Sequence, residues 1–588
     1  MNNENAWRFT IIGSIVSLLA GIVLIQLFRI QFNPKEVEHF LEQSKIYEGD
    51  WRPVYPIRSR IYDRYGHEMA GNTTVYELGI QLNQVKNPHT IALTLNVLLG
   101  LDYAEVNEIA SREPSDKLIY AVVANNVTKE QIERLEKYKE EISRVYSGTR
   151  GEDTPSLAGL EYTPRLARSY PEQEIGAGIL GFVNQEGQGF YGVEAWYDDL
   201  LAGDPQWVFI PRDPNRAEDL PNIPDGASLV LTIDRNIQAS VEEILDAAVE
   251  NNGATSGTIV VLDPQTGEIL AAATTPRMDL NRYWDYSKIF TGETPFNRVV
   301  SQAYEPGSVY KVLTMASALD KGAVKPDTTF IDTGMIEVGG AYIYNWNSGA
   351  WGPQDMQGCM QHSLNVCLAW VATQLGAKDF YSYMRAFGIG HLTGVDMAGE
   401  NPGRLKIPGD ADWYDADLGT NAFGQGVSAT PLQMATAISA VANEGKMMAP
   451  HIVRSIIENG EQFNNEPRLL GMPIKKETAQ TLTDILSRSL EEEASDALVE
   501  GYRIAGKTGT AEIPTPYGYS SSATNASFVG WGPVDDPQFL VYVWLEKPTS
   551  SPWGSIVASP VFRQVVERLV VLMDIPPDRI RKALTANN

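Results

Sequence analysis

Glu305-Pro-Gly-Ser308-Val-Tyr-Lys311 sets a serine and a lysine one helical turn apart at the head of an apolar stretch. Between Glu305 and Asp320 the one charged side chain is Lys311. Val309 to Leu319 is therefore predicted as a helix buried nearly all round. Spacing i, i+3 puts the amine on the face that carries the hydroxyl. Burial disfavours the ammonium form. An ordinary lysine titrates near 10.4, so neutrality near pH 7 needs a drop of roughly three units, about 4 kcal/mol. A buried site with a second cation, Lys507, would supply it. A neutral Lys311 would then take the proton of Ser308 as the hydroxyl attacks a carbonyl. Taken alone, the pattern reads equally as a serine cap and a snorkelling lysine at a helix start.

Two further patterns weigh against that plain reading. Ser363 and Asn365 lie in Gln361-His-Ser-Leu-Asn-Val366, a loop entering the apolar stretch Val366 to Leu375. A hydroxyl there can relay a proton to a leaving amine, and the side-chain amide can hold a substrate amide in register. By position alone these two residues would pass for an N-cap. The third pattern is Lys507-Thr508-Gly509-Thr510. Its surroundings, Gly501-Tyr-Arg-Ile-Ala-Gly506-Lys507-Thr508, also match the phosphate-binding G-x-x-x-x-G-K-[ST] pattern. That pattern works only between a strand and a helix. Here Glu491 to Glu500 reads as helical, and Gly509, Pro514, Pro516 and Gly518 forbid a helix afterwards. A strand from Ile504 to Glu512 along a cleft is the better prediction. Lys507 would supply charge, the hydroxyls of Thr508 and Thr510 would hold a carboxylate, and Gly509 would let backbone approach a ligand. The amide N–H groups of Thr510 and Ser308 would form an oxyanion hole.

Whole-chain features bound the answer. A chain of 588 residues that is 43 % apolar can form about two to four domains with real cores. With 47 basic against 74 acidic side chains its net charge is -27, which argues against nucleic acid or an anionic membrane surface as partner. Cys359 and Cys367 flank Ser363 without metal-like spacing, and a reduced, partly buried pair is expected in a compartment that would permit a disulfide. The histidines show no H-x-x-x-H pairing, so no metal and no cofactor are expected.

Thr10 to Phe28 carries no charge and is long enough to span a bilayer. Ile30-Gln-Phe-Asn-Pro34 is too bulky for a cleavage site, so an uncleaved signal anchor is predicted. Arg8 is matched by Arg29 and Lys35, so the charge rule leaves orientation open. Beyond the anchor, Pro53 to Gly66 reads as a strand running into an Asp-led turn. Asn126 to Tyr146 reads as a surface helix, Gly178 to Gly192 as a loop region, and Gly203 to Pro224 as a linker. From Gly226, Ser228 to Ile233, Gly257 to Leu262 and Glu268 to Ala273 read as strands. The middle is mostly helical, and strands return at Arg503 to Glu512, Ala526 to Trp531 and Gln538 to Leu545. Strands from both ends would form one antiparallel sheet with helices packed against it, an α+β architecture.

The order S-x-x-K, S-x-N, K-T-G resembles that of the penicillin-recognising serine acyltransferases. The chain more widely resembles the class B penicillin-binding proteins. Arg58-x-Arg-Ile-x-Asp63-Arg64-x-Gly66 is similar to that family's pedestal signature, with Ser59 in place of a glycine. Arg168-Ser-Tyr-Pro171 and Gly192-Val-Glu194 resemble later pedestal motifs, and Gly424-Gln-Gly426 and Thr430-Pro-Leu-Gln433 segments between the second and third motifs. Ala526-Ser-Phe-Val-Gly-Trp531 and Ala558-Ser-Pro-Val-Phe562 look most like the cell-division branch. The resemblance implies an anchor over residues 1–28, an elongated mixed pedestal domain of dimerisation type over 29–217 and a transpeptidase domain over 218–588.

It also implies a D,D-transpeptidase that crosslinks peptidoglycan stem peptides from a lipid-linked precursor, in septal wall synthesis and outside the cytoplasmic membrane. Ser308 is the implied nucleophile and Lys311 the base. Ser363, Asn365 and Lys507 complete the catalytic set, and Thr508, Gly509 and Thr510 bind substrate. β-Lactams would acylate Ser308, and a membrane glycosyltransferase and divisome proteins are the implied partners. Two other readings stand beside it: a D,D-carboxypeptidase or β-lactamase of the same fold, and a non-catalytic β-lactam sensor or divisome scaffold.

Overall fold

The structure is a computed structural model that describes residues 6–35, 37–38, 49–115, 118–149, 151, 154–211, 223–290, 295–493, 495–515 and 518–586. The chain divides into two compact units, residues 1–57 with 202–226, and residues 58–201 with 227–588. The first holds the helix Ala6–Phe32. Its stretch Trp7–Phe32 is long and apolar enough to cross a membrane, and none of it is buried. The same unit holds an antiparallel pair of strands, Gly49–Val54 and Gln206–Pro211, with Trp51 opposite Phe209. The second of these strands lies where a linker was predicted. Trp207 and Phe209 suit a strand, and the partner strand that fixes them is remote in sequence. Residues 212–222 of that predicted linker lie outside the described residues.

In the second unit, five antiparallel strands stand in the order Ile269–Thr275, Ser256–Leu262, Phe539–Glu546, Gly518–Gly532, Ala505–Thr515. Helices cover both faces, so the central strands are buried from end to end. Alternation along a strand sends Ile259 and Val261 to one core, with Val565 and Leu569 of the helix Ser559–Leu572. Val260 and Leu262 go to the other, with Val312 and Met315 of the helix Lys311–Lys321 and with Ile438 of Pro431–Ala442. The Thr430-Pro-Leu-Gln433 segment begins the last of these helices with a capping box, in which each of Thr430 and Gln433 receives the other's backbone N–H. The Gln433 amide also donates to the carbonyls of His391 and Pro402, at 2.6 and 2.7 Å, which ties the helix start to two loops.

Ser228–Leu231 departs from the predicted single sheet. It pairs in parallel with Ile61–Tyr62 and antiparallel with Val453–Glu458. These strands belong to a second sheet that continues through Glu68–Gln81 to Tyr120–Val127 and Leu160–Ser169. Periodicity identified the strand but could not name its partner. Beside this sheet Glu194, fully buried, receives Arg58 at 2.7 Å, Arg168 at 2.7 Å and the hydroxyl of Tyr170. Ser59 fits its turn because the backbone there is not left-handed, and its carbonyl accepts from Arg168 at 2.6 Å.

Candidate active site

Ser308 sits in a single 3-10 turn, Gly307–Tyr310, that feeds the helix Lys311–Lys321. Gly307 has φ +60°, and a Cβ there would stand 2.7 Å from the carbonyl oxygen of Thr510. Only glycine lets the turn pack so close to the Ala505–Thr515 strand. On the turn's other side the Gly307 N–H donates to the carbonyl of Gly424, in the Gly424-Gln-Gly426 segment. The turn that carries Ser308 is thus clamped from both flanks by backbone. Among the described residues no hydrogen bond engages the Ser308 hydroxyl.

Lys311 is completely buried. Its Nζ donates to the Ser363 carbonyl at 2.6 Å and to Asn365 Oδ1 at 2.7 Å, with Ser363 Oγ at 3.2 Å. Burial first, and the nearby Lys507 cation second, hold its pKa well below the ordinary lysine value.

The second motif is a tight turn between the helices Met356–Gln361 and Asn365–Leu375. Ser363 is left-handed there, φ +53°, a conformation that costs a non-glycine residue about 1 kcal/mol or more. A disulfide between Cys359 and Cys367 spans the turn, and both residues are fully buried. This corrects the expectation of a reduced, partly buried pair. Two helix ends brought into register place the sulfurs together, which spacing in sequence does not reveal. The Asn365 amide donates to the Tyr344 carbonyl at 3.2 Å. With Oδ1 on Lys311, one N–H of the amide remains for a ligand.

Lys507, Thr508, Gly509 and Thr510 lie inside the strand Ala505–Thr515, at the edge of the five-stranded sheet. No helix follows Lys507 in that strand, so the phosphate-loop resemblance has no structural counterpart. The preceding helix, Lys476–Glu492, ends earlier than the sequence suggested, and residues 495–500 are non-helical, with Val499 bridged to Tyr502. Alternation puts Thr508 and Thr510 on the half-buried face, with Gly509 between them on the buried one. A Cβ on Gly509 would meet Ser527 Oγ at 2.1 Å and Val309 Cγ1 at 2.9 Å. Close packing against Ser527 and against the turn that carries Ser308 therefore demands this glycine, where sequence pointed to ligand approach.

Burial lowers Lys507 to about 8, against the opposing pull of Glu493. Its Nζ lies 3.2 Å from Thr508 Oγ1, and the Gly554 N–H donates to Thr510 Oγ1 at 3.1 Å. Both threonine hydroxyls are engaged as acceptors, so their hydrogens are available to an anion.

The residues that the sequence offered for the site, Ser308, Lys311, Ser363, Asn365 and Lys507 to Thr510, thus lie on adjoining elements. Tyr344, Glu493 and Gly554 were not singled out. Two of them act through backbone groups that every residue carries, and Glu493 acts by charge across the fold. No local pattern marks them.

A family profile described as the penicillin binding protein transpeptidase domain matches residues 257–567. One described as the penicillin-binding protein dimerisation domain matches residues 53–217. Stage V sporulation protein D of Bacillus subtilis is 31 % identical over 538 residues, covering 89 % of this chain and 80 % of that protein. Peptidoglycan D,D-transpeptidase FtsI of Escherichia coli is 26 % identical, covering 98 % of this chain and 94 % of its own. In fold, the chain is similar to penicillin binding protein 3 of Mycobacterium tuberculosis, solved with aztreonam, at TM-score 0.66 and 23 % identity. That likeness covers 90 % of this chain and 98 % of the solved one.

Proposed function

The chain belongs to the class B penicillin-binding proteins, and on that footing we propose that it is a peptidoglycan D,D-transpeptidase acylated on Ser308. Lys311 is the base. A neutral amine has two hydrogens and one lone pair. The Ser363 carbonyl and Asn365 Oδ1 stand at 2.6 and 2.7 Å, close enough to take both hydrogens and leave the lone pair for the Ser308 proton. This arrangement carries the reading.

Attack by Ser308 Oγ on the penultimate D-Ala carbonyl forms the ester bond as the proton passes to Lys311. The N–H groups of Ser308 and Thr510 stabilise the oxyanion. Collapse breaks the D-Ala–D-Ala amide. The Ser363 hydroxyl, 3.2 Å from Lys311 Nζ, relays the proton to the departing amine. An amine of a second stem peptide then attacks the ester carbonyl; the new amide forms as the ester C–O bond breaks, and the amine's proton passes through Lys311 to Ser308 Oγ, restoring the hydroxyl and the neutral lysine. Lys507 with the Thr508 and Thr510 hydroxyls holds the terminal carboxylate, Asn365 the donor amide, and Gly509 the strand's close approach. β-Lactams enter as mimics of the donor.

The apolar N-terminal helix fits a single-pass anchor. We place the catalytic unit outside the cytoplasmic membrane, because the substrate class is found there. The division into residues 1–28, 29–217 and 218–588 is part of the same proposal, with a membrane glycosyltransferase and divisome proteins as partners. Septal synthesis is the favoured role, and the E. coli relative spans nearly the whole chain. The higher identity to a sporulation protein favours a second role, wall synthesis during sporulation. Labelling with fluorescent penicillin and mapping the modified peptide tests the core of the reading. Modification of Ser308 is expected, and modification elsewhere would overturn it. Depletion during growth separates the roles: filamentation marks the septal one, and normal division with failed spores the other.

A further inference from the structure

The ribbon formed by Gly49–Val54 and Gln206–Pro211 has two unlike faces. Opposite residues of an antiparallel pair share a face, and alternate residues of a strand return to it. Trp51 stands opposite Phe209 and Pro53 opposite Trp207, so these four side chains share one face. The rings of Trp51 and Phe209 meet edge to face at 5.8 Å. Trp51 is 65 % exposed, Trp207 68 %, and Tyr55, just past the first strand, 72 %. The other face carries the charges of the ribbon, with Asp50 and Arg52 paired at 3.6 Å, and it buries Val208. Single exposed apolar side chains need no explanation, but a ribbon with its rings on the wet face and its charges on the back does.

Its place in the chain says what meets that face. The ribbon begins with the first strand beyond the apolar helix Ala6–Phe32, only residues 33–48 lie between them, and both belong to one compact unit. Tryptophan and tyrosine gather where hydrocarbon gives way to headgroups, because the ring takes the apolar side and its N–H or O–H the wet one. Such a contact needs no attraction between charges. That suits a chain of net charge -27, which an anionic surface would repel.

We propose that the aromatic face of this ribbon lies in the headgroup layer of the membrane that holds the anchor, as a second, interfacial contact with lipid. The inference is independent of the catalytic reading and rests on the anchor. A single helix leaves the chain beyond it free to swivel and tilt. A ribbon laid on the lipid surface removes that freedom, so it sets the direction in which the chain leaves the bilayer. It is an adjunct to the anchor, too small to hold the protein on lipid by itself.

The test places the full-length protein in nanodiscs of phosphatidylcholine, with and without a share of the lipid spin-labelled near the headgroup. Trp51→Phe with Trp207→Phe keeps the face apolar and removes two indoles, so subtraction from the wild type isolates their emission. The spin-labelled lipid is expected to quench that difference, and to quench Trp7 of the anchor helix in both proteins. Exchange of phosphatidylcholine for anionic phosphatidylglycerol should not strengthen the quenching. Trp207→Asp puts a charge into the face, and the emission of Trp51 should then escape the quencher. Penicillin labelling, which draws on no residue of the ribbon, checks that each variant is folded. A difference emission untouched by the spin label, with Trp7 quenched, would overturn the contact and leave the anchor standing. Shielding of the two indoles only after a membrane protein partner is added would give the face to protein and overturn the lipid contact as well. Absence of lipid quenching in both proteins would overturn the anchor, and the contact with it.

Discussion

Lys311 Nζ lies 2.7 Å from Asn365 Oδ1, so the first motif's amine is held by the second motif's amide. The two meet because the helices that carry them pack in one core, where Val312 and Leu368 are both fully buried. The amine is positioned by groups on a turn between packed helices, and its proton affinity is lowered by the same burial and by the Lys507 cation.

Lys311→Ala should reduce acylation by penicillin by about 10²–10⁴-fold, the usual range for losing a general base. Lys311→Arg should not restore it, since a guanidinium keeps its proton. Stopped-flow or gel-based labelling measures both. An arginine variant with near wild-type rates would mean that the amine contributes only charge.

The pH dependence has a definite sign. Burial first, and the Lys507 cation second, lower Lys311 well below the ordinary lysine value. Burial lowers Lys507 to about 8. Acylation should rise with pH as Lys311 becomes a base, and fall above about pH 8 as Lys507 loses the charge that attracts the carboxylate. Removing that cation in Lys507→Ala raises the Lys311 pKa, so the rising limb should move to higher pH. A rising limb that stays in place in the variant would rule out the coupling.

Much of the site was legible because each motif is local. Ser308 and Lys311 share a helical face, Thr508 and Thr510 share a strand face, and Ser363 precedes a helix. The helix Lys311–Lys321 was readable because its apolar run is broken by one charge. What stayed hidden is non-local. Ser228–Leu231 has the alternation of any strand, and only the packed chain shows that it joins Ile61–Tyr62. Gly509 was visible as a glycine, but the reason for it, Ser527 and Val309, lies on other elements.

The disulfide should hold the second motif in shape. Its short loop predicts about 2–3 kcal/mol of stabilisation from the unfolded chain's lost entropy. Cys359→Ala with Cys367→Ala should lower stability by about that amount. It should also slow acylation, because the left-handed Ser363 loses its brace. With two cysteines in the chain, thiol titration of the denatured, unreduced protein should find none free. Two reactive thiols and an unaltered double variant would together refute the brace.

Cleavage before the pedestal sheet tests topology and domain independence together. Deleting residues 1–30 should give a soluble protein that penicillin still acylates, because no residue of the site lies in the first unit. In intact spheroplasts an added protease should digest nearly everything beyond Arg29. Survival of the large unit until lysis would reverse the orientation. The truncated protein should also unfold in one calorimetric transition. The sheet that begins at Tyr120–Val127 runs through Ile61–Tyr62 into Ser228–Leu231 and Val453–Glu458, so the pedestal and the catalytic core share backbone hydrogen bonds. Glu194, closed between Arg58 and Arg168, reports on that coupling. Glu194→Ala leaves Arg168 buried without its anion and Arg58 with Asp198 alone, and should cost about 3–5 kcal/mol. The single transition should move as a whole, carrying the loss of penicillin binding with it. A separate early transition, with labelling of Ser308 intact above it, would show that the pedestal melts alone and that the shared sheet does not couple them.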